Sequence, residues 1–490
     1  MRSVVPISLL ACLALGACAS KPKPDLRLPA AYEGPAAAPA RVALDRWWEN
    51  FNDPQLTRLI DQALVANPDA KTAAARLREA RAARVSALSQ FLPQGDLNAS
   101  GTRTDTTQIE GGLPPDLSLS FPGIIIGGGV SKSYSANFDV SWEVDLFGRL
   151  WAARRAANAD VAAARFDYEA TRASLAAQVA DTYFQARGLA IQLEDARQSA
   201  RIRRELYDVA SKRAAVGIAA TSEPDRVAGD LARAEAQVAG LEADLQAQRR
   251  ALLILSGRTS DPTSSVDTPP DVAAPPAVPA SLPSDLLRRR PDVLSAEAQL
   301  AGALGREDIA RLALLPTFTL RPGLGWQRTD QSGSVNESSS WSIGGAVTQP
   351  LLDIPNLLAQ TRVYNARTQA AAANYEKAVQ TAFSEAEGAL VRLAADRRRV
   401  SVLTDGEARA QRAYKAARLG YGLGLNDLQE TLSSELSWRA TRLELTTARV
   451  DAVRRAVQAF KAIGGGWPGA VAAPSPRAAG AQGDARDVTG

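Results

Sequence analysis

The stretch YSANFDVSWEVDL, Tyr134 to Leu146, constrains this chain more than any other. Alternate positions place Tyr134, Ala136, Phe138, Val140, Trp142, Val144 and Leu146 on one face and Ser135, Asn137, Asp139, Ser141, Glu143 and Asp145 on the other. That strict period of two predicts a strand. At about 3.3 Å per residue it spans ~40 Å, more than an ordinary globular strand and suited to crossing a bilayer at a tilt. One face then meets lipid and the other water. From Leu150 to Val216 the chain has no proline and a single glycine, Gly188, in a run rich in Ala, Arg, Leu and Gln. A helix of that length measures about 100 Å. The sequence thus joins a membrane-crossing strand to a helix long enough to cross much of a second compartment.

The first residues read as a signal peptide, 1–17, with a single Arg2, a short apolar core and a small-residue end. Leu15-Gly16-Ala17-Cys18 resembles a bacterial lipobox, which implies cleavage before Cys18 and its acylation, and Ala19 implies sorting to the outer membrane. Residues 18–45, rich in Pro, Ala and Lys, then form an extended or disordered lipid-anchored tether. The only cysteines are Cys12 and Cys18, so the mature chain has no pair to oxidise. Histidine is absent, and the one methionine is the initiator. The commonest general base and zinc ligand are therefore missing, and no cofactor or metal is expected. The formal charge is +4, from 57 basic and 53 acidic residues spread along the chain, and it does not point to nucleic acid.

Asp53-Pro54 and Asn67-Pro68 each set a capping side chain before a proline suited to the first helical position, so helices start at both. The adjacent Trp47 and Trp48 are expected to pack this region onto the body. A weaker strand is expected over Asp96 to Thr107, and Ile109 to Ser131 reads as a long loop. After the long helix, Gly217 to Pro224 breaks the pattern and Asp225 to Leu255 resumes it as a helical hairpin. Residues 257–284 hold seven prolines and read as a linker. The second half then replays the first. Pro68 and Pro93 recur as Pro291 and Pro316 at a spacing of 223, and Tyr168 and Tyr207 as Tyr375 and Tyr414 at a spacing of 207. An internal duplication accounts for both, with 46–256 and 285–465 as its copies and the 16-residue difference in the inter-strand loop. In the second copy, strands are expected at Thr317 to Gln327 and Trp341 to Leu351, with a Ser, Gly and Asn loop, Thr329 to Ser340, between them. A long helix from Asn356 to Leu419 and a partner from Asn426 to Ile463 follow, and 466–490 reads as a disordered tail.

Four membrane strands cannot close on themselves, and an open edge in hydrocarbon leaves backbone groups unpaired at several kcal/mol each. Two copies supply 8 strands and three supply 12, and pattern alone does not choose between them. Leu175, Val179, Ala186, Leu189 and Leu193 make a narrow seam of the kind used by near-parallel helices. Helices alone would also suit a coiled coil without a channel, but a coiled coil has no use for a thirteen-residue alternating strand.

WWENFNDPQLTRLIDQALVANPD, SWEVDLFGR at Ser141 to Arg149, LLRRRPD at Leu286 to Asp292 and LPTFTL at Leu315 to Leu320 together resemble the outer membrane factors of tripartite efflux systems, in their nodulation-type lipoprotein branch. The resemblance runs from about Trp47 to Gly465. It implies a membrane β-barrel plus all-α fold: a homotrimer with a 12-stranded outer membrane barrel continued by a periplasmic α-helical tunnel. It also implies docking to a periplasmic adaptor protein and an inner membrane proton-driven efflux pump. The same architecture would serve a type I protein secretion duct, and a trimeric periplasmic scaffold or adhesin is the reading from a different class. Asp139, Glu143 and Asp145 are then lumen-lining rather than a catalytic pair. Glu223, Asp225, Tyr421 and Asp427 are candidates for a periplasmic gate at the hairpin tips, whose turns are supplied by Gly217, Gly420, Gly422 and Gly424.

Overall fold

The structure, a computed structural model, describes residues 24–33, 43–106, 129–218, 220–279, 282–331, 334–423 and 425–468. The expected signal peptide, the Cys18 anchor, most of the first inter-strand loop, Gly424 and the tail from 469 lie outside the described residues. A 3-10 helix (Trp47–Phe51) precedes α1 (Pro54–Ala66), α2 (Pro68–Ser89), β1 (Gln94–Thr106), β2 (Gly129–Val144), α3 (Arg149–Ala215) and α4 (Ser222–Leu255). Then come α5 (Leu286–Arg289), α6 (Pro291–Leu312), β3 (Thr317–Gln331), β4 (Ser334–Thr348), α7 (Ile354–Gly422) and α8 (Leu428–Ala462). The chain divides into a sheet unit, Glu79–Val161 with Ala298–Ala371, and a helical unit built from the described residues of Met1–Arg78, Ala162–Glu297 and Ala372–Gly490.

The sheet unit holds one antiparallel sheet in the order β1-β2-β3-β4. Its register aligns Leu97, Phe138, Leu324 and Trp341 in one row across all four strands. Val140, Pro322 and Ile343 lie beside that row on one side, and Ala136 and Trp326 on the other. The opposite face carries Asn98, Asn137, Gly325 and Ser340 in one row and Ser100, Ser135, Gln327 and Ser338 in the next. The ladder between β2 and β3 skips Val140 and Ser141, opposite Pro322 and Arg321, where the proline has no N–H to donate. The apolar face is uncovered, with Trp341 77% exposed.

Within the expected loop Thr329 to Ser340, Thr329 to Gln331 and Ser334 to Ser340 are strand. β3 and β4 pair continuously from Thr317 with Thr348 to Gln331 with Ser334. The ladder is made by the backbone, so a strand polar on both faces keeps its pairing but shows no alternation to read. β2 also ends at Val144, two residues before the alternation does.

In the helical unit the seam of α3 is buried as expected, with Leu175, Val179, Ala186 and Leu193 in the core and Leu189 packed against it. Its partners include Leu245, Leu252 and Leu253 of α4 and Val453, Ala456, Val457 and Phe460 of α8. Gly188 is the one glycine of α3 because Val450 of α8 fills its side-chain space: a Cβ there would sit 2.7 Å from Val450 Cγ2. Charge pairs run along the same contact. Arg454 binds both oxygens of Asp181 at 2.8 and 2.9 Å, and Arg442 donates from Nε to Asp195 at 2.9 Å.

Trp47 and Trp48 are fully buried, and the Trp47 ring stacks on Phe460 with centroids 5.8 Å apart. Asp53 does two jobs. Its Oδ1 caps α1, accepting from the N–H groups of Gln55 and Leu56 at 2.9 and 3.1 Å. Its Oδ2 accepts from Tyr183 at 2.9 Å and from Arg187, so the cap also fixes α1 to α3. The LRRRPD motif works similarly. Arg290 donates to Asp292 at 2.9 and 2.6 Å and to the Ala462 carbonyl at 3.3 Å, and its guanidinium lies 2.8 Å from Glu385. Burial by itself would raise the Asp292 carboxyl, but the Arg290 hydrogen bonds and charge outweigh it, and the group lies below its usual range.

The described parts of three segments read as linker, tether or tail are packed. Residues 257–284 bury Val266, Thr268 and Val278, and the Asp271 carbonyl accepts from Arg187 at 2.7 Å. Tyr32 stacks on Phe383, while the N–H groups of Asp25 and Glu33 donate to Glu376 and Glu387 of α7 at 2.8 and 3.1 Å. Past α8, the Gly466 N–H donates to the Leu44 carbonyl at 2.8 Å, and buried Trp467 donates to the Arg289 carbonyl at 2.9 Å. Proline ends regular structure but not burial, because a segment without its own ladder satisfies its backbone on neighbouring helices.

Trp47→Ala is expected to destabilise the helical unit by about 3–5 kcal/mol, read as a lower midpoint in denaturant unfolding. Arg290→Met should be less stable than the native chain at neutral pH. Because the Asp292 pKa is depressed on folding, its stabilisation is complete above about pH 4, its unfolded value, and is lost as pH falls through the lower folded value. The gap between the two proteins should therefore narrow below about pH 4, measured by the unfolding midpoint as a function of pH.

Candidate functional site at the hairpin tips

The two helical hairpins end in different turns. α3 closes on Gly217 at φ +70, and the Ile218 N–H donates to the Arg213 carbonyl at 2.9 Å. A left-handed glycine of this kind ends a helix firmly. α4 then starts with Glu223 and Asp225 in its first turn and no side-chain cap from Thr221. In the second hairpin α7 runs on through Gly420 to Gly422, and the Leu425 N–H donates to the Gly420 carbonyl at 2.8 Å. The Asn426 amide fills the space beside Gly420, and Asp427 caps α8 by accepting from the Glu430 N–H at 2.7 Å.

The tips meet through Tyr421. Arg213 donates from Nη1 to the Tyr421 hydroxyl at 2.9 Å, with its guanidinium carbon 5.9 Å from the ring centroid. Beneath this link, Ala210 and Val227 are buried, with Leu206, Tyr421 and Leu432 packed against them. All four long helices thus contribute to one small apolar cluster. Val216 and Ile218 on one tip and Leu419, Leu423 and Leu425 on the other are exposed. Glu223, Asp225 and Asp427 take part in no ion pair among the described residues, so of the four expected gate residues only Tyr421 bridges the hairpins. Arg213 was not singled out from sequence, where a basic residue in the last turn reads simply as a partner for the helix dipole.

Farther along the second hairpin, Tyr414 stacks on Trp438 with centroids 5.2 Å apart, and Trp438 donates to Glu407 at 2.8 Å. Burial, reinforced by Glu435, pushes the Tyr414 hydroxyl above its usual range, which keeps it neutral.

The strand carboxylates separate into three roles. Asp139 stays on the polar face, directly opposite Asp96 of β1. Glu143 pairs with Arg149, whose Nε donates at 3.0 Å. Asp145 lies beyond the end of β2 rather than on its polar face, and its two oxygens cap α3 through the N–H groups of Arg149 and Leu150 at 2.7 and 2.9 Å. A carboxylate at a helix start is better satisfied by those orphan donors than by water, which is why the strand ends before Asp145 although the alternation runs on to Leu146.

Among the described residues, no group of three or more His, Cys, Asp or Glu is placed to hold a metal ion, and no helix is long and apolar enough to cross a membrane. A sheet apolar on one face and polar on the other, whose strands lead into long paired helices, has the plan of an outer membrane channel protomer. The chain belongs to the outer membrane efflux protein family, matching it over residues 59–258 and 282–465. It is 29% identical over 473 residues to the pyoverdine export outer membrane protein OpmQ of Pseudomonas aeruginosa, covering 95% of this chain and 98% of that one. It is 26% identical over 422 residues to the cation efflux system protein CusC of Escherichia coli, covering 86% and 88%. Among solved structures it is similar to the outer-membrane channel OprN, with a TM-score of 0.77 and 28% identity over 92% of this chain and all of that one. The open state of the Neisseria gonorrhoeae MtrE outer membrane channel gives a TM-score of 0.78 and 25% identity, covering 92% and 99%. The protein is an outer membrane efflux channel component.

Asp427→Ala should cost about 1 kcal/mol locally and speed amide hydrogen exchange at Glu430 and its neighbours, whereas Glu223→Ala, which removes no cap, should leave exchange at the start of α4 nearly unchanged.

Proposed function

We propose that the chain is the passive exit duct of a tripartite efflux pump, working as a homotrimer whose three sheets close into a 12-stranded barrel continued by a helical tunnel in the periplasm. The observation that carries this reading is the open sheet. Its apolar face is uncovered, its other face is polar or glycine except for Ala346, and β1 and β4 end the ladder with one side unpaired. Edge pairing between copies satisfies those backbone groups, and hydrocarbon penalises leaving them open. Asp139 and the Ser, Asn, Gln and Gly residues beside it then line the lumen, with Glu143 held at its end by Arg149.

The lipobox reading makes Cys18 the lipid anchor, and the packed segment 24–33 ties it to α7. The recurrent order of helix, paired strands, long helix and shorter helix supports an internal duplication over 46–256 and 285–465. An inner membrane proton-driven pump supplies the energy and a periplasmic adaptor meets the tips, where the exposed Val216, Ile218, Leu419, Leu423 and Leu425 offer an apolar surface. Relatives are named for pyoverdine, cations and toluene, which supports a wall that leaves cargo selection to the pump.

The gate rests on the Arg213–Tyr421 link. Single-channel conductance in planar bilayers is expected to be low for the native oligomer and to rise several-fold in Arg213→Ala, with Tyr421→Phe, which deletes only the hydroxyl, intermediate. An oligomer that never conducts in any of the three forms would overturn the duct. One whose conductance is equal in all three would move the gate away from this link.

A further inference from the structure

We infer that the sheet closes between copies in a single register, with Leu97 of β1 opposite Gly345 of β4 in the next copy; the inference rests on the proposed homotrimer. Glycine inside a strand weakens it and often marks the close approach of another group. Other glycines of the sheet have that group inside the chain. A Cβ at Gly95 would sit 3.0 Å from the Phe138 ring, one at Gly101 3.4 Å from the Tyr134 ring, and one at Gly325 2.8 Å from Ser340 Oγ. Gly345 has none. Nothing lies within 4 Å of its Cβ position, although it shares the apolar face of β4 with Trp341, Ile343 and Val347. The group it leaves room for lies across the unpaired edge.

The two edges select each other. Three antiparallel ladders leave β1 and β4 running in opposite directions at the ends of the sheet, so β1 of one copy meets β4 of the next antiparallel. Both strands are exposed over nearly their whole length. Only an even shift keeps the apolar face continuous across the seam. The row Leu97, Phe138, Leu324 and Trp341 crosses the four strands of one copy, a width of about 19 Å at ~4.8 Å per strand. Entering β1 of the next copy two, four or six residues beyond Leu97, this row tilts the strands by about 19°, 35° or 46°, against the ~35–45° of membrane barrels. Closure therefore needs a shift of at least four. Pairing allows no more: six leaves Gln94 and Gly95 beyond the end of β4, and four in the opposite sense leaves Gly101 to Thr106 without partners.

A shift of four sets Trp341 opposite Gly101 of the next copy, Ile343 opposite Ala99, Gly345 opposite Leu97 and Val347 opposite Gly95. Each pair joins a large side chain to a small one. A shift of two would instead put Gly345 opposite Gly95 and leave a gap in the apolar surface. On the polar face Thr102 meets Ser340 and Ser100 meets Ser342, pairs suited to hydrogen bonding across a ladder. Beyond the apolar band Asp105 faces Glu337. That like pair is offset by Arg328, directly opposite Glu337 in its own chain, and by Arg103, diagonal to Glu337 across the seam.

The test uses the full chain in detergent, with Ile343→Cys combined in turn with Leu97→Cys, Ala99→Cys and Gly101→Cys, and Ile343→Cys alone as the control for Cys18. Opposite positions bring Cβ atoms to about 4.5–5.5 Å and diagonal ones to about 7–8 Å, so only the opposite pair is within easy reach of a disulfide. On mild oxidation Ala99→Cys/Ile343→Cys is expected to give covalent dimer and trimer in about tenfold higher yield than the other two pairs. Gly345→Val, whose added carbon meets open space in its own chain, should cut that yield about tenfold by overpacking the seam, and adding Leu97→Ala should restore it. A variant that had merely lost its fold would not be rescued by a second truncation. Cross-linking mainly through Leu97→Cys or Gly101→Cys, or an undiminished yield in Gly345→Val, overturns the register. Light scattering of the native protein separates the two levels. A mass of three chains with no pair cross-linked sinks the seam alone, whereas a single-chain mass sinks the homotrimer beneath it.

Discussion

The register of the four-stranded ladder governs what this chain can be. Because side chains alternate with a period of two, a slip of one residue between any two strands would mix the faces and leave neither one fit for lipid nor the other for water. The observed register brings Leu97, Phe138, Leu324 and Trp341 into one row and Asn98, Asn137, Gly325 and Ser340 into the row behind it. The sequence of each strand is tuned to that register rather than to strand propensity. Gly323 and Gly325 are poor strand formers, yet on the polar face a Cβ at either would press against Ser342 or Ser340. Small residues there keep the polar face shallow, at a modest cost in ladder strength.

The helices solve a different problem. A 67-residue α3 and a 69-residue α7 cannot be held by a central core, because a helix that long has no room to fold back. Their packing is instead distributed along their length: alanines and Gly188 permit close approach, and Asp181–Arg454 and Asp195–Arg442 fix how α3 and α8 are aligned. Such pairs are worth little as isolated surface contacts, but in series along partly buried helices they discriminate against a shift of one turn. The large side chains are concentrated where a shorter segment crosses, at Trp47, Trp48, Phe51 and Phe460, so stability is gathered around the 3-10 helix while the hairpin tips have only the small Ala210 and Val227 cluster.

Legibility followed periodicity. The long helices, the β2 strand and the caps at Asp53 and Asn67 were readable because each has a local signal: an unbroken helical composition, alternation, or an Asx-Pro pair. β4 was half hidden, since Asn336 to Ser340 is polar on both faces and its pairing lies in the backbone. The packed segments at 24–33 and 257–284 were hidden for the same reason, their anchoring being made by residues far away, such as Arg187 for Asp271 and Phe383 for Tyr32. At the tips the glycines and the Asp427 cap were visible, but Arg213 was not, because a hydrogen bond to a residue 208 positions away leaves no local pattern. Position in the sequence predicts a cap well and a bridge poorly.

The tips combine a firm turn with a loose one, and this asymmetry matters for a proposed gate. Gly217 locks the end of α3 in one backbone conformation. The second tip has Gly420 and Gly422 inside the last turn of α7, where each weakens the helix by about 1 kcal/mol relative to alanine. The hydrogen bond from Arg213 to Tyr421 is worth a similar amount, about 1–1.5 kcal/mol net for a partly exposed pair. The restraint on opening is therefore of the order of a few RT, and it falls on the hairpin that is easier to deform. A partner binding the exposed leucines of the open form about 100-fold more tightly than those of the closed form supplies about 2.7 kcal/mol, enough to reverse the balance without strain elsewhere. A bidentate carboxylate bridge in place of Tyr421 would have held the tips more tightly, and docking alone would then not release them.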